Sequence, residues 1–142
     1  MKSQFIGKGW KFPVTPDAAC ELDSLGQALD CPVAMVAEEQ LISQSIEIIL
    51  RTARGERLMR PNFGCGINEL VFQPNNATTT SRVTQAVREA LLEWEPRIDV
   101  LDVQTMVSRD EANVLLITIE YRVRTTNNVF NKVYPFYLNQ GT

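Results

Sequence analysis

The stretch that most constrains the fold is residues 91–98, where a helical pattern gives way to a strand pattern. Apolar residues spaced three and four positions apart predict an amphipathic helix that runs into this stretch. They are Val83, Ala86, Val87, Ala90, Leu91 and Trp94. Pro96 ends the helix at Glu95, because a proline disfavours the α conformation in the residue before it. From Ile98 the apolar residues alternate, so the sequence predicts a helix-to-strand corner.

This corner carries Glu95 and Arg97 beside a tryptophan that we expect to be buried. Charged groups at a covered corner need partners. The two side chains could form an internal ion pair that fixes the corner. Alternatively, with Pro96, they could form a socket for a helix or loop of another protein, where the planar arginine fork suits bidentate pairing.

An earlier helix is predicted from Glu38 to about Ala53. Its apolar face consists of Leu41, Ile42, Ile46, Ile49, Leu50 and Ala53. Gly55 follows as a typical residue just past a helix C-terminus. For the later helix, residues 78–81 offer several candidate N-caps.

The last third of the chain has the two-residue period of β-strands. The first strand, Ile98 to Val107, changes parity near Val100 and Leu101, which predicts a bulge. A second strand alternates cleanly over residues 115–123. The final strand, Val129 to Leu138, contains Pro135, which cannot donate to a ladder, so we expect an edge strand. The fold class is therefore α+β, with two long helices packed on a small antiparallel sheet that ends in a C-terminal β-hairpin.

At 142 residues the chain has the length of one domain, so we expect a single domain over residues 1–142. Residues 1–30 are loosely patterned. No apolar run approaches the length needed to cross a bilayer, and no secretory signal is visible. The net charge of -3 argues against general nucleic-acid binding, which normally needs a basic face, although Arg51, Arg54, Arg57 and Arg60 could form a local basic patch.

Histidine is absent from the sequence. This removes the usual zinc sites and every histidine-based catalytic triad. The three cysteines, Cys20, Cys31 and Cys65, form no CxxC pair and fit free thiols in a reducing cytoplasm. We find no cofactor motif and no metal-ligand constellation, and so predict neither.

Several short motifs, in order, resemble the phage baseplate wedge family, which is also called the W-like or "lysozyme-like" family. This family includes components of type VI secretion baseplates and of extracellular contractile injection particles. The matching residues are 46–50, Thr52, 55–57, 59–61, 63–64 and 94–98. The Glu-Pro-Arg tripeptide alone would be weak, but its position after Gly-Glu-Arg and Arg-Pro-x-Phe-Gly makes the resemblance specific.

The resemblance implies a structural protein in the inner baseplate, present in six copies around the tube, that gives the contractile sheath its first attachment. Such a protein would assemble in the cytoplasm and contact wedge proteins, the sheath protein and the inner tube or hub. It would have no nucleic-acid partner and no membrane insertion. The predicted hairpin then resembles the part of a sheath subunit that exchanges strands with its neighbours, since an exposed edge can pair with another chain.

The resemblance also favours a partner interface at Glu95, Pro96 and Arg97, which predicts that an Arg97→Ala variant would fold and yet fail to join the baseplate. Two further sets of residues could belong to an interface. Glu56, Arg57 and Arg60 could be a solvated loop or a clamp for an acidic partner segment. Tyr134 and Phe136 could pack in the sheet or form an interface stripe.

The alternative function is a glycosidase acting on peptidoglycan, as the family's older label suggests. Such an enzyme needs two carboxylates facing each other across a cleft. Glu56, Glu69, Glu93 and Glu95 supply acids in number, but nothing in the sequence places two of them across a groove. We therefore expect a protein that is not an enzyme.

Overall fold

A computed structural model describes residues 8–11 and 35–139, which fall in two compact units, Met1–Gln44 and Ser45–Thr142. In the first unit, strands β1 (Lys8–Trp10) and β2 (Met35–Ala37) pair antiparallel. Most of the segment predicted to be loosely ordered lies outside the described residues. The single-domain assignment stays a prediction.

Helix α1 spans Glu38–Arg51 and crosses from the first unit into the second. It ends two residues before the predicted Ala53, because the Ala53 N–H donates to the Glu56 carboxylate at 2.9 Å and does not continue the helical hydrogen bonds. Ala53 instead forms a parallel bridge with Cys65. A short 3-10 helix, Gly66–Leu70, follows the intervening loop.

Helix α2 spans Ala77–Trp94, with Glu95 as its C-cap. The N-cap is Asn76, so the assignment of the cap to residues 78–81 is wrong. The Asn76 side chain accepts a hydrogen bond from the Thr79 backbone N–H at 2.9 Å. The hydroxyls of Thr80 and Ser81 bond to carbonyls four residues back, as side chains inside a helix do.

The sheet has the order β3-β4-β5, with strands Ile98–Val107, Val114–Val123 and Val129–Tyr137, all antiparallel. The predicted bulge is confirmed by a register shift between Val100 and Asp102. The predicted edge position of the proline-containing strand is also confirmed. The fold class is thus the predicted α+β arrangement.

The core of the second unit lies between the helices and one face of the sheet. A hydroxyl contact of 2.9 Å joins Thr84 of α2 to Thr105 of β3, and Lys132 of β5 lies 3.5 Å from Glu47 of α1. The two helices therefore cover opposite margins of the same face. The buried side chains that the central strand places on this face are Leu115, Ile117, Ile119, Tyr121 and Val123. Each such apolar side chain contributes roughly 1.5–3 kcal/mol by burial.

Trp10 of β1 is 67% exposed. Short-range pattern cannot decide the burial of a tryptophan in a three-residue strand, since burial depends on what packs against it.

Gly64 provides a test of the turn that returns the chain to the core after α1. Its φ is +119°, and an added Cβ would lie 2.3 Å from the Thr52 carbonyl oxygen, whereas a Cβ at Gly66 would meet nothing within 4 Å. We expect Gly64→Ala to lower the free energy of unfolding by about 3 kcal/mol or more. Gly66→Ala should change it by less than about 1 kcal/mol in urea titrations. Equal effects of the two substitutions would contradict this account of the turn.

Candidate functional site: a charged pocket at the helix-to-strand corner

The corner after α2 holds a bidentate ion pair. Arg97 donates from Nε to Glu95 Oε1 at 2.6 Å and from Nη2 to Glu95 Oε2 at 2.8 Å. The hydrogen bonds to Glu95 raise the pKa of Arg97, so the guanidinium stays charged at any physiological pH. The Glu95 side chain is only 2% exposed, whereas that of Arg97 is 35% exposed. The pair thus has a buried acidic end and a partly open basic end.

The pair also connects separate elements of the second unit. Arg97 Nη2 donates to Ser45 Oγ on α1 at 3.1 Å. The Arg97 carbonyl accepts a hydrogen bond from Arg124 N–H at 3.0 Å, just past the end of β4. Pro96 prevents α2 from continuing, so the backbone turns here and brings the two charges onto the same side.

An open pocket of about 340 Å³ lies at this corner, which we call the corner pocket. It is lined by Ser45, Ile48, Ile49, Arg57, Phe63, Trp94, Glu95, Pro96 and Arg97. One wall is a stack of three side chains. The Arg57 guanidinium lies 4.3 Å from the centre of the Phe63 ring, which meets Trp94 edge-on with ring centres 5.1 Å apart.

Of the predicted interface residues, the structure brings Glu95, Pro96, Arg97 and Arg57 together in the corner pocket. Glu56 and Arg60 do not line it. Glu56 instead accepts the Ala53 backbone N–H at 2.9 Å. Phe63 and Ser45 also line the pocket and are not among the residues that the sequence predicted for an interface. The fixed spacing of the Arg-Pro-x-Phe-Gly motif could have indicated Phe63, but no local signal indicates Ser45.

Tyr134 and Phe136 lie on the face of the sheet that the helices cover. Phe136 is buried at 6% exposure, and burial raises the pKa of Tyr134, which is half-buried. The exposed aromatic residue of β5 is Tyr137, at 61%. Any interface role of Tyr134 and Phe136 stays a prediction, and in this structure both pack within the chain.

In the part of the chain that the structure describes, no helix is long and apolar enough to span a membrane. The same residues contain no group of three or more acidic or cysteine side chains able to hold a metal ion. Cys65, the described cysteine, is a buried free thiol, and burial raises its pKa.

Comparison with known proteins assigns the class of protein. Residues 36–128 match the family described as baseplate wedge protein gp25. Baseplate protein W of Escherichia phage P2 is 35% identical over 83 residues, which are 58% of this chain and 72% of the phage protein. The chain therefore belongs to the gp25 baseplate wedge family, as its motifs predicted.

Two solved structures share the fold. A Geobacter sulfurreducens protein, provisionally called a tail lysozyme, is 53% identical, with a TM-score of 0.69 over 77% of this chain and 100% of that protein. A chain of the anti-feeding prophage baseplate is 21% identical, with a TM-score of 0.63, over 94% of this chain and 86% of that one. At that identity the second match shows the fold alone.

The buried carboxylate gives a test of the corner that separates folding from binding. Arg97→Ala leaves Glu95 buried without its guanidinium. We therefore expect a loss of about 2–4 kcal/mol of unfolding free energy, less than for a fully enclosed pair because Arg97 is partly solvated. The double variant Glu95→Gln with Arg97→Ala removes both charges and should recover part of that loss. Urea unfolding followed by circular dichroism and tryptophan fluorescence measures the stability of both variants. A double variant less stable than Arg97→Ala would show that the unpaired charge is not the cause.

Because Arg97→Ala is expected to be destabilised, this variant alone cannot test binding to the baseplate. A failure of the single variant to join a baseplate could reflect unfolding alone. The double variant, once shown to be folded by circular dichroism, is the one whose binding is informative.

Proposed function

We propose that this protein is a structural baseplate component of a contractile tail-like particle that joins the wedge to the first sheath ring. It starts sheath assembly by accepting a strand of the sheath protein at the β5 edge. The proposal includes six copies around the tube, contacts with wedge and with tube or hub proteins, and assembly in the cytoplasm. The observation that carries it is the open backbone edge of β5 in a member of a baseplate family.

The direction of the β5 backbone groups follows from two hydrogen bonds at its ends. Leu138 N–H donates to Asn113 O at 2.8 Å, and Val123 N–H donates to Asn128 O at 3.0 Å. At both ends of β5, therefore, the even-numbered residues direct their backbone N–H and C=O groups toward β4. Since these groups alternate along a strand, the odd-numbered residues direct theirs away from the sheet. Pro135 is odd-numbered, so its missing N–H falls on the open side and interrupts no bond to β4.

The other edge of the sheet is less available. Ser108 N–H donates to Val114 O, so the odd-numbered residues after the bulge direct their N–H groups outward. The Val103 N–H is already bonded to the Asp102 carboxylate at 2.9 Å. The bulge between Val100 and Asp102 further distorts the edge. An incoming strand therefore finds more regular backbone on β5, over residues 129–133, than on β3.

The corner pocket is proposed as the surface that meets a wedge protein. Arg97, held by the buried Glu95, offers a preoriented cation to the pocket, and Arg57, which also lines it, offers a second. Preorganised charges lose little side-chain entropy on binding and favour an acidic partner segment. In this arrangement Glu95 serves the interface by positioning Arg97, since Glu95 itself is almost fully covered.

Strand addition can be tested with prolines at alternating positions of β5. Val133→Pro removes an N–H from the open side, so the chain should fold and enter the baseplate while losing attached sheath. Lys132→Pro removes an N–H that faces β4 and should instead unfold the hairpin. Val133→Thr keeps the N–H and is the matched control. Circular dichroism measures folding, and electron microscopy of purified particles measures sheath. Normal sheath on Val133→Pro particles would exclude strand addition in this half of β5.

A second candidate function is peptidoglycan hydrolysis, because the Geobacter sulfurreducens relative carries a lysozyme label. The corner pocket does not favour it, since Glu95 is the one carboxylate among its lining residues and is paired with Arg97. Glu69 and Glu89 do share a groove of about 220 Å³, together with Arg54 and Arg82, but both glutamates are exposed to solvent. We therefore propose that the protein is not an enzyme.

We expect the purified protein to give no clearing of cell-wall suspensions. A glycosidase needs two carboxylates facing each other across a covered cleft, whereas the corner pocket has Glu95 alone and the glutamates that share the second groove are exposed beside two arginines. Turbidity of purified peptidoglycan, with hen lysozyme as the positive control, measures this. Glu95→Gln, Glu56→Gln and the double variant Glu69→Gln with Glu89→Gln identify the source of any activity. Clearing by the natural sequence that any of these variants abolishes would establish the enzyme instead.

A further inference from the structure

The loop between α1 and the 3-10 helix displays two large apolar side chains to solvent. We call residues 54–62 the arginine loop, since Arg54, Arg57 and Arg60 lie in it. At its tip Leu58 is 97% exposed and Met59 is 96% exposed. Single exposed apolar residues are common on protein surfaces, but two adjacent ones, both almost fully exposed, mark a contact site.

This exposure belongs to a loop whose backbone is closed by hydrogen bonds. Gly55 N–H donates to Pro61 O at 2.6 Å across the base of the tip, and Phe63 N–H donates to Arg60 O at 3.0 Å. Glu56 accepts the Ala53 N–H, and Gly55 takes a φ of +82°, which an L side chain rarely adopts. The tip is therefore held in place without burying its own side chains. Presenting Leu58 and Met59 in this way reduces the ordering entropy that binding would otherwise cost.

The charges around the tip specify the chemistry of what covers it. The loop carries three arginines and one glutamate, and that glutamate is bonded to backbone, whereas the whole chain has a net charge of -3. Arg60 forms no salt bridge with any residue that the structure describes. An apolar centre inside a basic collar fits an apolar pocket with carboxylates at its rim.

We propose that Leu58 and Met59 insert together into an apolar, carboxylate-rimmed pocket of another baseplate protein, and that this insertion is the main anchor of the chain in the wedge. The proposal rests on the proposed function, because it takes the partner to be a baseplate component. It adds that apolar burial at the arginine loop, and not the ion pairs of the corner pocket alone, supplies most of the attachment.

An anionic lipid surface also combines apolar and acidic groups. The protein partner is favoured because Arg57 belongs to both surfaces: it lies in the loop and lines the corner pocket over Phe63. The tip and the pocket thus form one continuous surface with a projection and a recess. A folded protein can be complementary in shape to both the loop tip and the pocket, whereas a bilayer surface cannot enter the pocket.

The experiment places the photo-crosslinking residue p-benzoylphenylalanine at Leu58, at Met59 and, as a control, at Phe72, which is 76% exposed on a different segment. Tail-like particles are purified from the strain that carries the gene, irradiated and analysed by mass spectrometry. The expected result is an adduct from positions 58 and 59, but not 72, to one baseplate protein, at apolar residues flanked by Asp or Glu. Adducts to lipid, to a second copy of this chain, or no adduct above the Phe72 control would overturn the proposal.

A second measurement compares incorporation of variants. The double variant Leu58→Ser with Met59→Ser should fold normally and be at least about tenfold depleted from purified particles, as expected on loss of an interface hot spot. Phe72→Ser should be incorporated within about twofold of the natural sequence. Equal incorporation of the double variant would overturn the insertion. If the natural chain itself is absent from the particles, the proposed baseplate function fails, which is a distinct outcome.

The basic collar is tested in the same particles. Arg60→Glu places a like charge against the proposed carboxylate rim and should lower incorporation, with an effect that weakens as the assembly buffer gains salt. Arg109→Glu, in the exposed turn before β4, is the control of equal charge change. Equal effects of the two reversals would show that the arginine loop meets no acidic rim.

Discussion

The bidentate pair of Glu95 and Arg97 is the interaction on which the second unit depends. A carboxylate with 2% exposure would cost several kcal/mol to bury alone, and the arginine offsets that cost only while both hydrogen bonds are aligned. The same arginine reaches Ser45 on α1, and its carbonyl accepts the Arg124 N–H. One arginine therefore links Ser45, the end of α2 and the residue just past β4 by hydrogen bonds.

The core and the periphery of this unit have different physical requirements. The covered face of the sheet is apolar and closely packed around Ile117 and Ile119, which gives a rigid platform. The β5 edge keeps unpaired backbone groups, which favours pairing with another chain but also risks aggregation. Pro135 limits that risk by removing one donor from the open side at no cost to the β4 pairing. Such an edge suits a protein that must accept one strand in one place.

The surfaces proposed for partners are physically linked. The stack of Arg57, Phe63 and Trp94 connects the arginine loop with the corner pocket, and the corner connects directly to β3. A partner seated on the loop and the pocket would therefore contact the residues that orient the sheet. This arrangement allows attachment at the wedge side to support the geometry of the β5 edge, through rigid packing and without a conformational change.

The sequence by itself determined the two helices, the bulge, the edge strand and the charged corner, because each depends on local periodicity or on a proline. It also named Glu95, Pro96, Arg97 and Arg57, four of the residues that meet in the corner pocket. It misplaced the α2 N-cap, since several capping residues stand in succession and only the hydrogen bonds select Asn76. Tertiary structure alone decided that Arg97 bonds to Ser45, 52 residues away, that Phe136 is covered while Tyr137 is exposed, and that Leu58 and Met59 project from the loop. Alternation shows which residues share a face of a strand, but the face that becomes covered depends on contacts between segments far apart in the chain.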